Sequence, residues 1–159
     1  MKITRVRIHQ IEGKLKERFG WSLNWTGVRT ATLVEVNTDE GITGWGDGNY
    51  GGERLLALPE LVIGRSPFEM EAIFDDLRAP AAGQFDRGVP TSAGLDVALW
   101  DIAGRALGKP VSALLGHRIS GRVRPYCTCM YRKDWSDPAA GLAAEAREWV
   151  ARGHRILKM

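Results

Sequence analysis

Side chains able to do chemistry are sparse in this sequence, and most of them lack the company their chemistry needs. Cys127 and Cys129 form a C-x-C pair, but only His9, His117 and His154 could join them and none lies at finger spacing, so a zinc site is short of ligands. On an extended strand the two thiols face one side with Cα atoms about 6.5 Å apart, near the upper limit for a bridge and with side chains aimed in parallel. They are expected to be buried free thiols. Gly46-Asp47-Gly48-Asn49-Tyr50-Gly51 satisfies G-x-G-x-x-G. A dinucleotide site would also need a parallel βαβ unit and an acidic residue ending the next strand. Here the preceding strand closes an antiparallel hairpin, Pro59 interrupts the next segment, and Glu69 or Glu71 would sit on a helix, so the motif is not read as a phosphate cradle. Residues 13–29, GKLKERFGWSLNWTGVR, show no period and are expected to form a long loop. Such loops in compact domains are usually functional or disordered, and Trp21 and Trp25 are costly to leave on a merely flexible one. The two rings either meet a ligand or pack back on the domain.

The elements that must position these groups are legible from pattern. Residues 2–12 alternate, with Val6 and Ile8 on one face and Arg5, Arg7 and His9 on the other, as in a half-buried strand. Residues 30–37 and 42–47 alternate around the turn Thr38-Asp39-Glu40-Gly41, which completes a three-stranded antiparallel meander. Helical pattern begins at Glu53, and again at Pro67 and Phe68 with Met70, Ile73, Phe74 and Leu77 on one face. The central helix is predicted near 92–107: Thr91 and Ser92 offer a hydroxyl cap, Asp96 lies in the first turn, and Gly108 with Pro110 ends it. Its apolar residues spread beyond one stripe, Asp101 and Arg105 make an i, i+4 pair, and Gly104 implies that another backbone passes close by.

After Gly116 the pattern changes, and a boundary is placed near residues 117–122. Residues 123–129 read as a strand. Asp137 and Pro138 open a helix with Leu142, Ala146, Trp149 and Val150 as its apolar stripe, and residues 154–159 begin a second strand. Residues 123–159 are thus one β-α-β unit with parallel strands. The formal charge is only +3, from 22 basic and 19 acidic residues, with arginines scattered, so neither a nucleic-acid surface nor a membrane partner is indicated. No apolar run has the length of a secretory core or a span, and a cytoplasmic protein is expected.

The run Thr91–Gly116, TSAGLDVALWDIAGRALGKPVSALLG, closely resembles the signature of the mandelate racemase/muconate lactonizing enzyme family of the enolase superfamily. Gly44-Trp45-Gly46-Asp47 resembles that family's G-W-G-E, with a shorter carboxylate. The resemblance implies an α+β N-terminal capping domain over residues 1–120, a three-stranded antiparallel meander plus helices. Residues 121–159 would be the first βαβ unit of a truncated (β/α) barrel. A barrel needs on the order of 200 residues or more, so the chain is expected to be short of it.

The same resemblance implies a magnesium-dependent lyase or isomerase that removes the proton beside a carboxylate of a hydroxy or sugar acid, as a dehydratase, cycloisomerase or racemase. Carbon acids of this kind are very weak, so such enzymes stabilise the ene-diolate with Mg²⁺ and use a Lys or His of tuned pKa. Lys158 and Met159 match the first two positions of the family's K-x-K, which makes Lys158 the candidate catalytic residue. The stretches 14–29 and 46–52 resemble the two loops that close over substrate, making Trp21, Trp25 and Tyr50 candidate substrate-binding residues. The metal ligands and the second lysine are expected beyond the last residue, and relatives are expected to be homo-oligomers. The alternative is a non-catalytic capping or interaction fragment. Saturable magnesium binding would separate the two.

Overall fold

The computed structural model of the chain describes residues 1–47, 59–78, 89–116 and 121–159. It divides into two compact units, Met1–Ile11 with Thr30–Arg118, and Glu12–Arg29 with Ile119–Met159.

The first unit contains most of a three-stranded sheet of order β1-β2-β3. Strand β1 spans Ile3–Trp21, β2 spans Asn24–Thr38 and β3 spans Thr43–Asp47. β2 and β3 are antiparallel, with Val34 opposite Gly46 and Val36 opposite Gly44. The turn expected at 38–41 is present: Thr38 Oγ1 donates to the Ile42 carbonyl at 2.9 Å, and Gly41 N–H donates to the Thr38 carbonyl. The N-terminus of β1 is tied down by reciprocal backbone bonds, Ile3 N–H to the Arg65 carbonyl and Gly64 N–H to the Ile3 carbonyl.

Helices cover one face of this sheet. Residues 59–62 form a helical turn, α1 spans Met70–Arg78, α2 spans Val89–Leu107 and α3 is the single turn Val111–Leu114. Ile3, Val6, Val34, Val36, Val62, Ile73, Leu95, Ala98, Leu99 and Ile102 form one buried core. The approach of β3 to α2 is set by glycine. A Cβ on Gly44 would collide with the Ala98 carbonyl oxygen, and one on Gly46 would collide with that of Gly94. Side chains alternate along a strand, so Trp45 between them faces away from the helix. Gly104 behaves as its position implies: a Cβ there would lie 2.9 Å from the Lys109 carbonyl oxygen.

The central helix starts earlier than 92. It begins at Val89, with Pro90 in the first turn, where a missing N–H costs no helical bond. Asp96 therefore stands two turns in, not at the N-terminus, and partial burial raises its carboxyl pKa above the ordinary value. The Asp101–Arg105 pair forms at 3.0 Å, and the same carboxylate accepts the Trp45 backbone N–H at 3.0 Å. In α1, Ile73 is fully buried and Met70 packs against the core.

Residues 13–29 are not a loop. They are the end of a β-hairpin in which β1 and β2 continue to a two-residue connection at Ser22 and Leu23, with Ser22 at φ 47°. A two-residue connection favours φ > 0, usually met by Gly or Asn, and a serine there hides the turn from composition.

The second unit contains this hairpin tip together with β4 (Cys127–Thr128), α4 (Pro138–Ala151) and β5 (Leu157–Lys158). β4 and β5 are parallel, Cys127 opposite Leu157 and Thr128 opposite Lys158. The pairing is shorter than 123–129 implied, and Pro125 has no N–H with which to extend it. α4 is capped as its sequence implies: Asp137 accepts from the N–H groups of Ala139 and Ala140 at 3.0 Å, with Pro138 first in the helix. Its apolar stripe is not buried, for no residue of α4 is. Two-residue strands offer too little surface to cover it.

Candidate functional site in the second unit

The hairpin tip is held by its own backbone. Gly20 N–H donates to the Arg132 carbonyl at 2.8 Å and Arg132 N–H donates back to Gly20 at 2.9 Å. A Cβ on Gly20 would lie 2.6 Å from the Asn24 carbonyl oxygen and 2.8 Å from the Trp25 ring, so only glycine lets the two strands and the indole close here. Arg18 adds a two-pronged pair with Asp134, each contact 2.7 Å. Arg18 holds the Asp134 carboxyl below its ordinary pKa by that hydrogen bond, and Asp134 raises Arg18 in turn.

Aromatic rings fill the space between these ties. Phe19 lies 4.7 Å from Tyr131 and 6.0 Å from Trp21. The Arg29 guanidinium stacks over Phe19 at 4.7 Å, while Arg18 and Arg132 stack on Trp25 at 4.8 and 5.1 Å. Beside them is a cavity of about 540 Å³. The hairpin contributes Phe19, Trp21 and Arg29 to its wall, the segment after β4 contributes Met130, Tyr131 and Arg132, and the chain beyond α4 contributes Lys158 and Met159.

Of the residues singled out from sequence, Lys158 and Trp21 thus line one cavity. Trp25 stands behind that wall, as the plate on which Arg18 and Arg132 stack. Tyr50 lies outside the described residues. Lys158 is exposed, with its ammonium 5.8 Å from the Tyr126 ring. The residues missed by sequence reading are Arg29, Arg132, Phe19 and Tyr131. The available signal was the even spacing of Leu15, Phe19 and Trp21 along β1, which the expectation of a loop passed over.

The cysteines are free, as expected, and half-buried instead of fully buried. Burial and the neighbouring Cys127 push the Cys129 thiol up to about 11, so it stays protonated at neutral pH and is a poor nucleophile. Among the described residues no three His, Cys, Asp or Glu side chains converge on a point that could hold a metal ion. No helix among them is long and apolar enough to cross a membrane.

Residues 6–116 match the N-terminal domain of mandelate racemase and muconate lactonizing enzyme. The chain belongs to the mandelate racemase/muconate lactonizing enzyme family. Over 165 aligned residues it is 34% identical to D-galactarolactone cycloisomerase of Agrobacterium fabrum, matching all of this chain and 44% of that protein. It is 39% identical over 103 residues to D-galactonate dehydratase of Xanthomonas axonopodis pv. citri, covering 59% of this chain and 26% of the relative. Its fold superposes on the dipeptide epimerase of Enterococcus faecalis V583, complexed with Mg and the dipeptide L-Leu-L-Tyr, with a TM-score of 0.80 at 27% identity, covering 99% of this chain and 45% of the other. The chain spans less than half the length of these relatives, which are lyases and isomerases acting on sugar acids and dipeptides.

The described residues of this family member do not fit a magnesium ion.

Proposed function

We propose that this chain is the N-terminal portion of an acid-sugar dehydratase, cycloisomerase or racemase that removes the proton alpha to a carboxylate. Residues 1–120 serve as the capping domain and residues 121–159 begin the (β/α) barrel. The observation that carries the reading is that Lys158, at the C-terminal end of a parallel strand, and Trp21, at the hairpin tip, line the same cavity. Catalytic residues of barrels stand at such strand ends. Lys158 transfers the proton to or from the alpha carbon. Trp21 covers the acid and excludes water, Trp25 holds Arg132 of the cavity wall, and Tyr50 contributes from the second covering segment. Ligands for magnesium belong to the portion of the relatives that this chain does not span, and the full protein is a cytoplasmic homo-oligomer.

A chimera tests this: the present chain continued after Met159 by the remainder of the Agrobacterium cycloisomerase, incubated with sugar acids in deuterated buffer. Loss of the alpha-proton signal by NMR is expected, and Lys158→Ala should slow it by about 10²-fold or more. Exchange indifferent to that substitution would remove Lys158 from the mechanism.

A second reading follows from the finding that no ligand cluster forms among the described residues: taken alone, the chain is a capping and interaction fragment without catalysis. Calorimetry with Mg²⁺ should then show no saturable tight site on the isolated chain, and tight binding would overturn that reading.

A further inference from the structure

The cavity wall carries the side chains of Arg29, Arg132 and Lys158, and no Asp or Glu side chain. The carboxylates that come after β4 are engaged elsewhere: Asp134 with Arg18, Glu145 with Lys133, Glu148 with Arg152, and Asp137 as the cap of α4. Residues 12–29 and 119–159 together hold twelve Lys and Arg against six Asp and Glu, so the second unit is basic in a chain whose overall excess is small. A cavity with this wall attracts anions, and with more charge than one carboxylate neutralises.

Arg29 and Arg132 share a further property. Each guanidinium carbon lies over a ring, at 4.7 Å from Phe19 for Arg29 and 5.1 Å from Trp25 for Arg132, and neither makes an ion pair among the described residues. A contact with a ring face holds a guanidinium in place without using its N–H donors. Phe19 is itself packed against Tyr131, and Trp25 also carries Arg18. Two guanidinium groups are therefore held in place before any ligand arrives, which lowers the ordering cost of binding. A planar, bidentate acceptor such as a carboxylate satisfies them best.

We infer that Arg29 and Arg132 form a second anion subsite in this cavity, distinct from Lys158, so that the site selects a sugar acid with two carboxylates over its one-carboxylate counterpart. This rests on reading the cavity as the acid-sugar site. It adds which class of sugar acid enters.

The test is a titration of the intact chain with galactarate and with galactonate at low salt, followed by the NMR signals of the Trp21 indole and the Arg29 and Arg132 side chains. Galactarate is expected to bind about tenfold more tightly or better, the value of one good charge-assisted contact, and to weaken faster with added salt. Arg29→Gln and Arg132→Gln should each lower galactarate affinity by about tenfold while moving galactonate less than about twofold. Lys158→Met should weaken both acids. Equal affinities for the two acids, or a preference for galactarate that survives both arginine substitutions, overturns the second subsite and leaves the acid-sugar reading standing. If neither acid perturbs Trp21, that reading fails and the subsite fails with it. Dispersed amide spectra of each variant establish that it is folded; should Arg132→Gln disrupt the strand pairing at Gly20, the exposed Arg29→Gln decides alone.

Discussion

The two units are stabilised by different physics. Every fully buried large apolar side chain among the described residues belongs to the first unit, where β3 and α2 meet through glycine and the aliphatic core closes around Leu95, Leu99 and Ile102. The second unit buries none of this kind; it relies on stacked guanidinium groups, ring contacts, one reciprocal backbone pair and a capped helix whose side chains stay half-exposed. Burial contributes in proportion to area, whereas exposed charge and ring contacts give only a fraction of a kcal/mol to about one each. A scaffold built the first way resists change. A binding surface built the second way opens readily and keeps its polar groups available.

The largest effects should fall in the first unit. Leu99→Ala, at a position 1% exposed, is expected to cost about 3–4 kcal/mol in denaturant unfolding, from lost transfer energy and the cavity left behind. Gly46→Ala places a methyl against the Gly94 carbonyl and should cost about 3 kcal/mol, since strand and helix backbones must separate. A near-neutral result for both would dissolve the contrast between the units.

Next is Trp25→Ala. Removing the plate shared by Arg18 and Arg132 should lower protection of the hairpin tip by about 1–2 kcal/mol in hydrogen exchange while residues 95–106 keep theirs. In the unmodified chain, residues 14–29 should already exchange faster than 95–106. Equal protection would show that the second unit opens only with the first.

A pH experiment sharpens the comparison from the other side. Glu35, only 7% exposed, accepts from His9 at 2.7 Å and from Asn37 at 3.2 Å, with Arg7 at 3.7 Å. The His9 hydrogen bond, aided by Asn37 and Arg7, holds its carboxyl below the ordinary value. A carboxylate depressed on folding contributes stability that is present above its unfolded pKa, about 4.3, and is lost as pH falls through the lower folded value. Stability of the first unit should therefore decline below about pH 4.3, and Glu35→Gln should flatten that acid limb. The smallest effect is expected from Asp134→Asn: both partners are more than half exposed, so the loss should be slight, confined to the hairpin tip, and abolished by salt.

Much of the first unit is legible directly because its devices are local. Thr38 to Gly41 spells a turn, Gly108 spells a stop, and the alternation of residues 30–37 spells a strand with one face inward. Residues 13–29 mislead for a local reason as well. Lysines, arginines and tryptophans blur an alternation whose partner strand, not its composition, makes it extended, and Ser22 disguises the turn. The cap of α4 is legible and the exposure of its apolar stripe is not, since Asp137 and Pro138 act within one turn while covering a stripe takes a neighbour of sufficient area.

By itself the sequence determined the meander, the central helix with its Asp101–Arg105 pair, the capped helix after Asp137, and the family to which the chain belongs, because each depends on residues close together or on a contiguous signature. Only the tertiary structure decided that Trp21 and Lys158, 137 positions apart by their numbers, line one cavity, that Arg29 and Arg132 are stacked with their donors unspent, and that Gly44 and Gly46 let a helix backbone approach. Those facts depend on which surfaces meet. No period or spacing along the chain carries the distance between two residues that only folding brings together.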